Sequence, residues 1–188
     1  ENFKPGTLDR WGLDIETLWK ANPKLVVLRT TAFGQTGPYI GKPGFARIFE
    51  AMGGLTHITG DTDRPPMHTG YPISDAFGGV FGAMAILAAM FKVAREEPAK
   101  GEEIDLSLTE ATFRLLDFLA IEYDQLGVVR ERSGNRNQYS APSDVYLTSD
   151  KKYVSLAGST NATFKGNAAA VGRPDLLDDP RFATNNLR

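Results

Sequence analysis

Apolar positions change their period several times along the 188-residue chain, and each change marks an element. Leu25-Val26-Val27-Leu28 is an uninterrupted apolar run, which predicts a buried strand of the parallel kind. Ahead of it Ile15, Leu18 and Trp19 keep helical spacing behind Asp14, a capping residue, and Pro23 ends that helix. A shorter helix capped by Thr7 carries Leu8 and Trp11. Beyond the strand, Phe45, Ile48, Phe49 and Met52 recur at helical spacing up to Gly53-Gly54, predicting a helix whose stripe packs in the core. The longest helical pattern begins near Tyr71 and reaches Val93, with Phe77, Phe81, Met84, Leu87 and Phe91 on one stripe. Its apolar run, Val80 to Phe91, is short for a bilayer and reads as a buried helix. Residues Glu103 to Leu106 read as a second strand. Ser107 or Thr109 then opens a helix reaching about Leu126, with Phe113, Leu116, Ala120 and Tyr123 on one stripe and Glu110 spaced to pair with Arg114. Residues 144–148 and 153–157 alternate around Ser149-Asp150-Lys151-Lys152, a hairpin pattern, and a helix over 161–171 follows.

Helix, strand and Gly-rich loop in that order give an α/β class. Three regions follow: residues 1–126 as part of a large α/β domain, 127–143 as a basic, polar linker, and 144–188 as the start of a smaller α+β domain. Composition narrows the function. A net charge of −2 with scattered basic residues gives no nucleic-acid footprint. The absence of cysteine removes disulfides and a thiol nucleophile and fits a reducing cytosol. Two histidines, His57 and His68, lack metal-ligand spacing, so no metal is expected. The opening Glu-Asn-Phe-Lys-Pro-Gly has no apolar signal segment, which reads as a cytoplasmic protein without a membrane partner.

Candidate chemistry gathers at three places. Asp75 falls at or near the N-cap of the long helix, where unpaired N–H groups and the positive dipole end favour an anion. Gly78, Gly79, Gly82 and Ala83 make the turns behind it thin, either for tight packing of another element or for a ligand beside the carboxylate. Near the start of the chain, Lys4 and Arg10 flank the Pro5-Gly6 turn that leads into a helix, a pattern shared by phosphate sites and solvated helix starts. Phe33-Gly34-Gln35-Thr36-Gly37-Pro38 follows the first strand, and its glycines fit either a plain turn or close backbone approach to a ligand.

Taken in order, ENFKPGTLDRWGL, FGQTGPY, YPISDAFGG, GEEIDLSLTEA, RSGNRNQYSAPSDVYLTSDKKYVSLAG and DPRFATNNLR resemble the family III CoA-transferases across essentially the whole chain. Formyl-CoA, carnitine and dicarboxylate CoA-transferases belong to that family, and α-methylacyl-CoA racemase is a relative. Members are longer, so the resemblance implies a middle segment of a longer chain, with part of a Rossmann-like CoA-binding domain and an incomplete fold. It also implies an interlocked homodimer, and acyl-CoA and carboxylic acid substrates with coenzyme A as the group transferred.

By the same resemblance Asp75 is the catalytic aspartate. Asn2, Phe3, Lys4 and Arg10 belong to the CoA-binding segment, Arg10 towards the nucleotide phosphates. Gly34, Gln35 and Gly37 match a pocket-shaping loop. The implied chemistry is covalent: the aspartate forms anhydride and aspartyl-CoA thioester intermediates. In the racemase branch a His precedes the Asp within a Gly-His-Asp stretch, and the matching stretch here is Gly44-Phe45-Ala46. Phe45 has no acid or base to offer, so it counts with the pocket-shaping residues and transfer is favoured over racemisation. Two alternatives stay open: a 2-methylacyl-CoA racemase or epimerase, and a non-catalytic CoA-binding or dimer-assembly segment.

Overall fold

The computed structural model describes all residues, 1–188. By compactness they divide into two units: Glu1–Ile58 with Met67–Arg130, and Thr59–Pro66 with Glu131–Arg188.

The first unit opens with α1 (Thr7–Arg10) and α2 (Ile15–Ala21), then β1 (Val27–Thr31). Gly6, at φ 76°, caps α1 in place of Thr7. Asp14 does cap α2, accepting from the Thr17 N–H at 3.0 Å; that bond and the Thr17 hydroxyl hold the Asp14 carboxyl below its usual range. The crossover runs through α3 (Ala46–Met52), α4 (Leu55–Ile58) and α5 (Ile73–Arg95) to β2 (Glu103–Ser107). β1 and β2 pair in parallel, Val27 opposite Glu103 and Thr31 opposite Ser107. The strand lies two residues later than the Leu25–Leu28 run. Its most buried residue is Arg29, whose Nε donates to Glu103 Oε1 at 2.5 Å. A charge so placed needs its partner, since a lone buried ion is far costlier than a paired one.

After β2 come α6 (Leu108–Arg114) and α7 (Asp117–Leu126). Ser107 caps α6 by accepting from the Glu110 N–H. The single helix expected up to Leu126 is broken. The Leu115 and Leu116 amides donate back three residues, to the Thr112 and Phe113 carbonyls, closing α6 in a tighter turn. The break redirects Arg114, which pairs with Asp117 at 2.8 Å and not with Glu110.

Two apolar stripes face differently from expectation. Of the expected stripe on α3 only Phe49 is in the core, joined there by Ala46, while Phe45, Ile48 and Met52 are exposed. In α5 the buried positions are Ser74, Gly78 and Gly82, whereas Met84, Leu87 and Phe91 lie outside. The small face is what packs. A side-chain carbon on Gly78 would collide with Leu108 Cδ2, and one on Gly82 would come within 2.7 Å of Leu28 Cδ2 and 3.5 Å of Leu106 Cδ2. Those two glycines let the helix approach β1, β2 and α6 closely, so their space is taken by leucines and not by a ligand. At 23 residues α5 is long and apolar enough to cross a membrane by length and composition, although little of it is buried. The shorter run Val80 to Phe91 understated it.

In the second unit β3 (Ser143–Leu147) and β4 (Tyr153–Ala157) form an antiparallel hairpin, with Ser143 opposite Ala157. α8 (Asn161–Ala170) begins with a reciprocal Thr160–Thr163 cap. Two short 3₁₀ turns, Pro174–Leu177 and Pro180–Phe182, close the chain. Phe164 and Ala168 form the core of this unit; Phe182 stacks on Phe164 at 6.1 Å and the Arg188 guanidinium lies 4.1 Å from the Phe164 ring centre. Between residues 131 and 143 the Gly134 N–H donates to the distant Gly60 carbonyl and the Asn137 N–H to the nearby Ser143 carbonyl.

Candidate active site

Asp75 is the third residue of α5, and its side chain is exposed. The cap position belongs to Pro72, which has no side-chain acceptor, so Asp75 lies near the cap, as a first-turn carboxylate, and not at it. The first α-helical bond is from the Ala76 N–H to the Pro72 carbonyl at 3.3 Å. The amides of residues 73–75 therefore have no intrahelical acceptor in the α pattern and bring the positive end of the helix to the Asp75 carboxylate.

The neighbours of Asp75 in the first turn are both pinned. The Ile73 N–H donates to the Tyr71 carbonyl at 2.8 Å and to Glu50 Oε1 at 3.1 Å. Ser74 is fully buried beside Thr112, their hydroxyl oxygens 2.7 Å apart. Thr112 Oγ1 also lies 2.8 Å from the Leu108 carbonyl. With one proton on each hydroxyl, Thr112 donates to the carbonyl and accepts from Ser74. The backbone just before Asp75 is thus tied to α3 through Ile73 and to α6 through Ser74. One turn further on, nothing lies within 4 Å of the place a side-chain carbon would take on Gly79. Open space next to the carboxylate is at Gly79, on the same side of the helix as Asp75 by its four-residue spacing.

The loop after β1 is shaped by a residue the sequence reading did not single out. Asp105 in β2 accepts the Gln35 N–H with both oxygens, at 2.8 and 3.0 Å. Gly34 has φ 83°, and a side-chain carbon there would meet Asp105 Oδ2 at 3.2 Å. The glycine is required by its backbone conformation and by the carboxylate under it. Gly37 has φ 88° and open space around it. The Gln35 side-chain nitrogen is buried without a hydrogen-bond partner. Phe33 packs edge-on to Phe49, and the Ala32 carbonyl accepts from the Thr109 N–H and hydroxyl, which joins this loop to the start of α6.

The expected CoA-binding residues make local contacts. Phe3 meets Trp11 edge-to-face at 5.1 Å, the Lys4 carbonyl accepts from the Thr7 N–H, and Arg10 donates to Thr7 Oγ1 at 2.9 Å. Asn2, Phe3, Lys4 and Arg10 are all exposed. With a single turn in α1, charge there comes from Lys4 and Arg10 more than from a helix end. Phe45 precedes α3 and is 82% exposed. Of the two histidines, His68 lies beside the buried Glu50, with Nδ1 3.4 Å from Oε2, while His57 borders an apolar groove with Phe113 and Tyr123. No grouping of three acidic or histidine side chains could hold a metal ion.

Glu50, Thr112 and Asp105 escaped sequence reasoning. Glu50 sits among apolar residues in an amphipathic pattern, and Asp105 alternates with Ile104 and Leu106, which were the available signals.

Comparison with known proteins finds relatives in both sequence and fold. A succinyl-CoA–D-citramalate CoA-transferase of Chloroflexus aurantiacus is 42% identical over 188 residues, covering all of this chain and 46% of that protein. An acetyl-CoA:oxalate CoA-transferase of Acetobacter aceti is 39% identical over 189 residues, covering all of this chain and 48% of its own length. The chain therefore spans about half the length of the curated relatives it matches. A crystal structure of a CaiB/BaiF family protein from Brucella suis superposes with a TM-score of 0.83 at 36% identity, over all of this chain and 49% of that one. The family model described as CoA-transferase family III matches residues 1–188, and with sequence and fold in agreement over that whole length, the chain belongs to CoA-transferase family III.

Proposed function

We propose that the protein carrying this chain transfers coenzyme A from an acyl-CoA to a carboxylic acid, with Asp75 as the nucleophile. The observation that carries the reading is the setting of Asp75: an exposed carboxylate in the first turn of a 23-residue helix, with the two residues before it pinned and open space over Gly79. Relatives named for succinyl-CoA with citramalate and for acetyl-CoA with oxalate support carboxylic acids as acceptors.

The sequence of bonds balances without an external reagent. The Asp75 carboxylate adds to the thioester carbonyl of the donor and expels CoA thiolate, leaving a mixed anhydride. The thiolate attacks the aspartyl carbonyl, releasing the donor acid and forming an aspartyl-CoA thioester. The acceptor carboxylate displaces the thiolate to give a second anhydride, and the thiolate then takes the acceptor acyl group and frees Asp75. Each step passes through an oxyanion, and the amides of the first turn are donors available to such a charge. Lys4 and Arg10 would meet the CoA phosphates, with Asn2 and Phe3 beside the nucleotide. Gly34, Gln35 and Gly37 would shape the acyl pocket together with Phe45. The reading includes a homodimer in the cytoplasm and no metal.

Hydroxylamine added during turnover of the complete gene product, followed by mass analysis, is expected to find a hydroxamate on the Asp75 peptide. Asp75→Ala is expected to lose activity on the order of 10³-fold or more. An unmodified Asp75 with activity surviving the substitution would sink the proposal.

A further inference from the structure

The first turn of α5 is capped from elsewhere in the fold. Pro72 offers no side-chain acceptor, and Glu50, five residues into α3, supplies one to the Ile73 N–H at 3.1 Å. Glu50 is 2% exposed. Its second oxygen lies 3.4 Å from His68 Nδ1, and the same ring nitrogen is 3.4 Å from Thr56 Oγ1. Arg47, Glu50, His68 and Tyr71 border a cleft of about 140 Å³ beside this helix end.

Burying a carboxyl group is unfavourable unless its oxygens are satisfied, and a Ser or Asp at position 72 would cap the helix without that cost. A local cap, however, would tie the helix start only to its own loop. Glu50 ties it to α3, the helix that follows Phe45 and packs Phe49 against Phe33 of the loop after β1. Reach also matters: Ile73 is two residues before Asp75, so the bond sets the backbone from which the Asp75 side chain leaves.

We propose that Glu50, oriented by His68, is a positioning residue for Asp75: it fixes the first turn of α5 relative to the loop of Gly34 and Gln35. This rests on the reading of Asp75 as nucleophile. Small displacements of a nucleophile from its attack geometry are costly in rate and cost little in substrate affinity, so the effect belongs in kcat.

The test uses the complete gene product with Glu50→Gln, Glu50→Met and His68→Ala. Glutamine keeps the acceptor for the Ile73 N–H; methionine keeps the volume and removes it. His68 is partly exposed, so its substitution leaves a folded protein even where Glu50→Met does not. Glu50→Met is expected to lower kcat roughly ten- to hundredfold with KM for the acyl-CoA within about twofold, and Glu50→Gln to restore most of the rate. His68→Ala is expected to lower kcat severalfold at unchanged KM. The rate of hydroxamate formation on Asp75 should fall in step with kcat. Wild-type protein that never labels Asp75 overturns the nucleophile and this inference together. Labelled wild type with unchanged rates in Glu50→Met, or in His68→Ala where the former does not fold, overturns this inference alone. An equal loss in Glu50→Gln and Glu50→Met also overturns it, because the acceptor would then not be what matters.

Discussion

Gly34 illustrates how a single residue links backbone geometry to the pocket. Its φ of 83° lies in the left-handed region, and Asp105 stands 3.2 Å from where a side-chain carbon would be. Gly34→Ala is therefore expected to lose about 1–2 kcal/mol of stability, the typical cost of forcing an L residue into that conformation. Chemical denaturation measures the loss; an alanine variant as stable as wild type would mean the loop has another conformation. Asp105 shows a different economy of design. One exposed carboxylate in β2 holds the loop that leaves β1, so the two parallel strands place and shape that loop together.

At the scale of elements, α5 separates two uses of glycine within one turn. Gly78 and Gly82 face leucines of α6, β1 and β2, while Gly79 faces open space beside Asp75. Gly78→Ala is expected to destabilise by about 1–3 kcal/mol through overpacking against Leu108. Gly79→Ala should instead stabilise by up to about 1 kcal/mol, since alanine is the better helix former. Gly79→Leu should keep the fold and raise KM for the acyl-CoA. Thermal unfolding and steady-state kinetics on the pair separate the roles. A stable Gly78→Ala, or a Gly79→Leu with wild-type KM, would reverse the assignment.

For the molecule as a whole, the outer face of α5 presents a run of exposed apolar side chains. Val80, Met84, Leu87, Met90 and Phe91 are each more than half exposed, in a chain that spans about half the length of its relatives. A contiguous apolar surface of this kind favours association. The 188-residue chain produced alone is expected to bind a hydrophobic dye and to elute larger than a monomer. Met84→Glu with Leu87→Lys should reduce both without lowering the unfolding temperature. A monomer that binds no dye would show that the face is covered from within.

Much of the architecture was legible in the sequence because it depends on local chemistry. Asp14 and Ser107 cap their helices through side-chain acceptors a few residues away, and the hairpin of β3 and β4 follows from alternation around a polar turn. The ordered motifs carried the family, which the comparisons show. What the sequence could not decide were matters of partnership between distant residues. The faces of α3 and α5 were misjudged because hydrophobicity marks a residue as fit for burial without saying which neighbours are present to cover it. Arg29 could enter a strand centre because Glu103, 74 residues away in the neighbouring strand, accepts from its Nε. Asp75 was recognised as a carboxylate at a helix start from sequence alone. That its first turn is held by Glu50 and by Thr112 depends on α3 and α6 meeting α5, and only the tertiary structure brings them there.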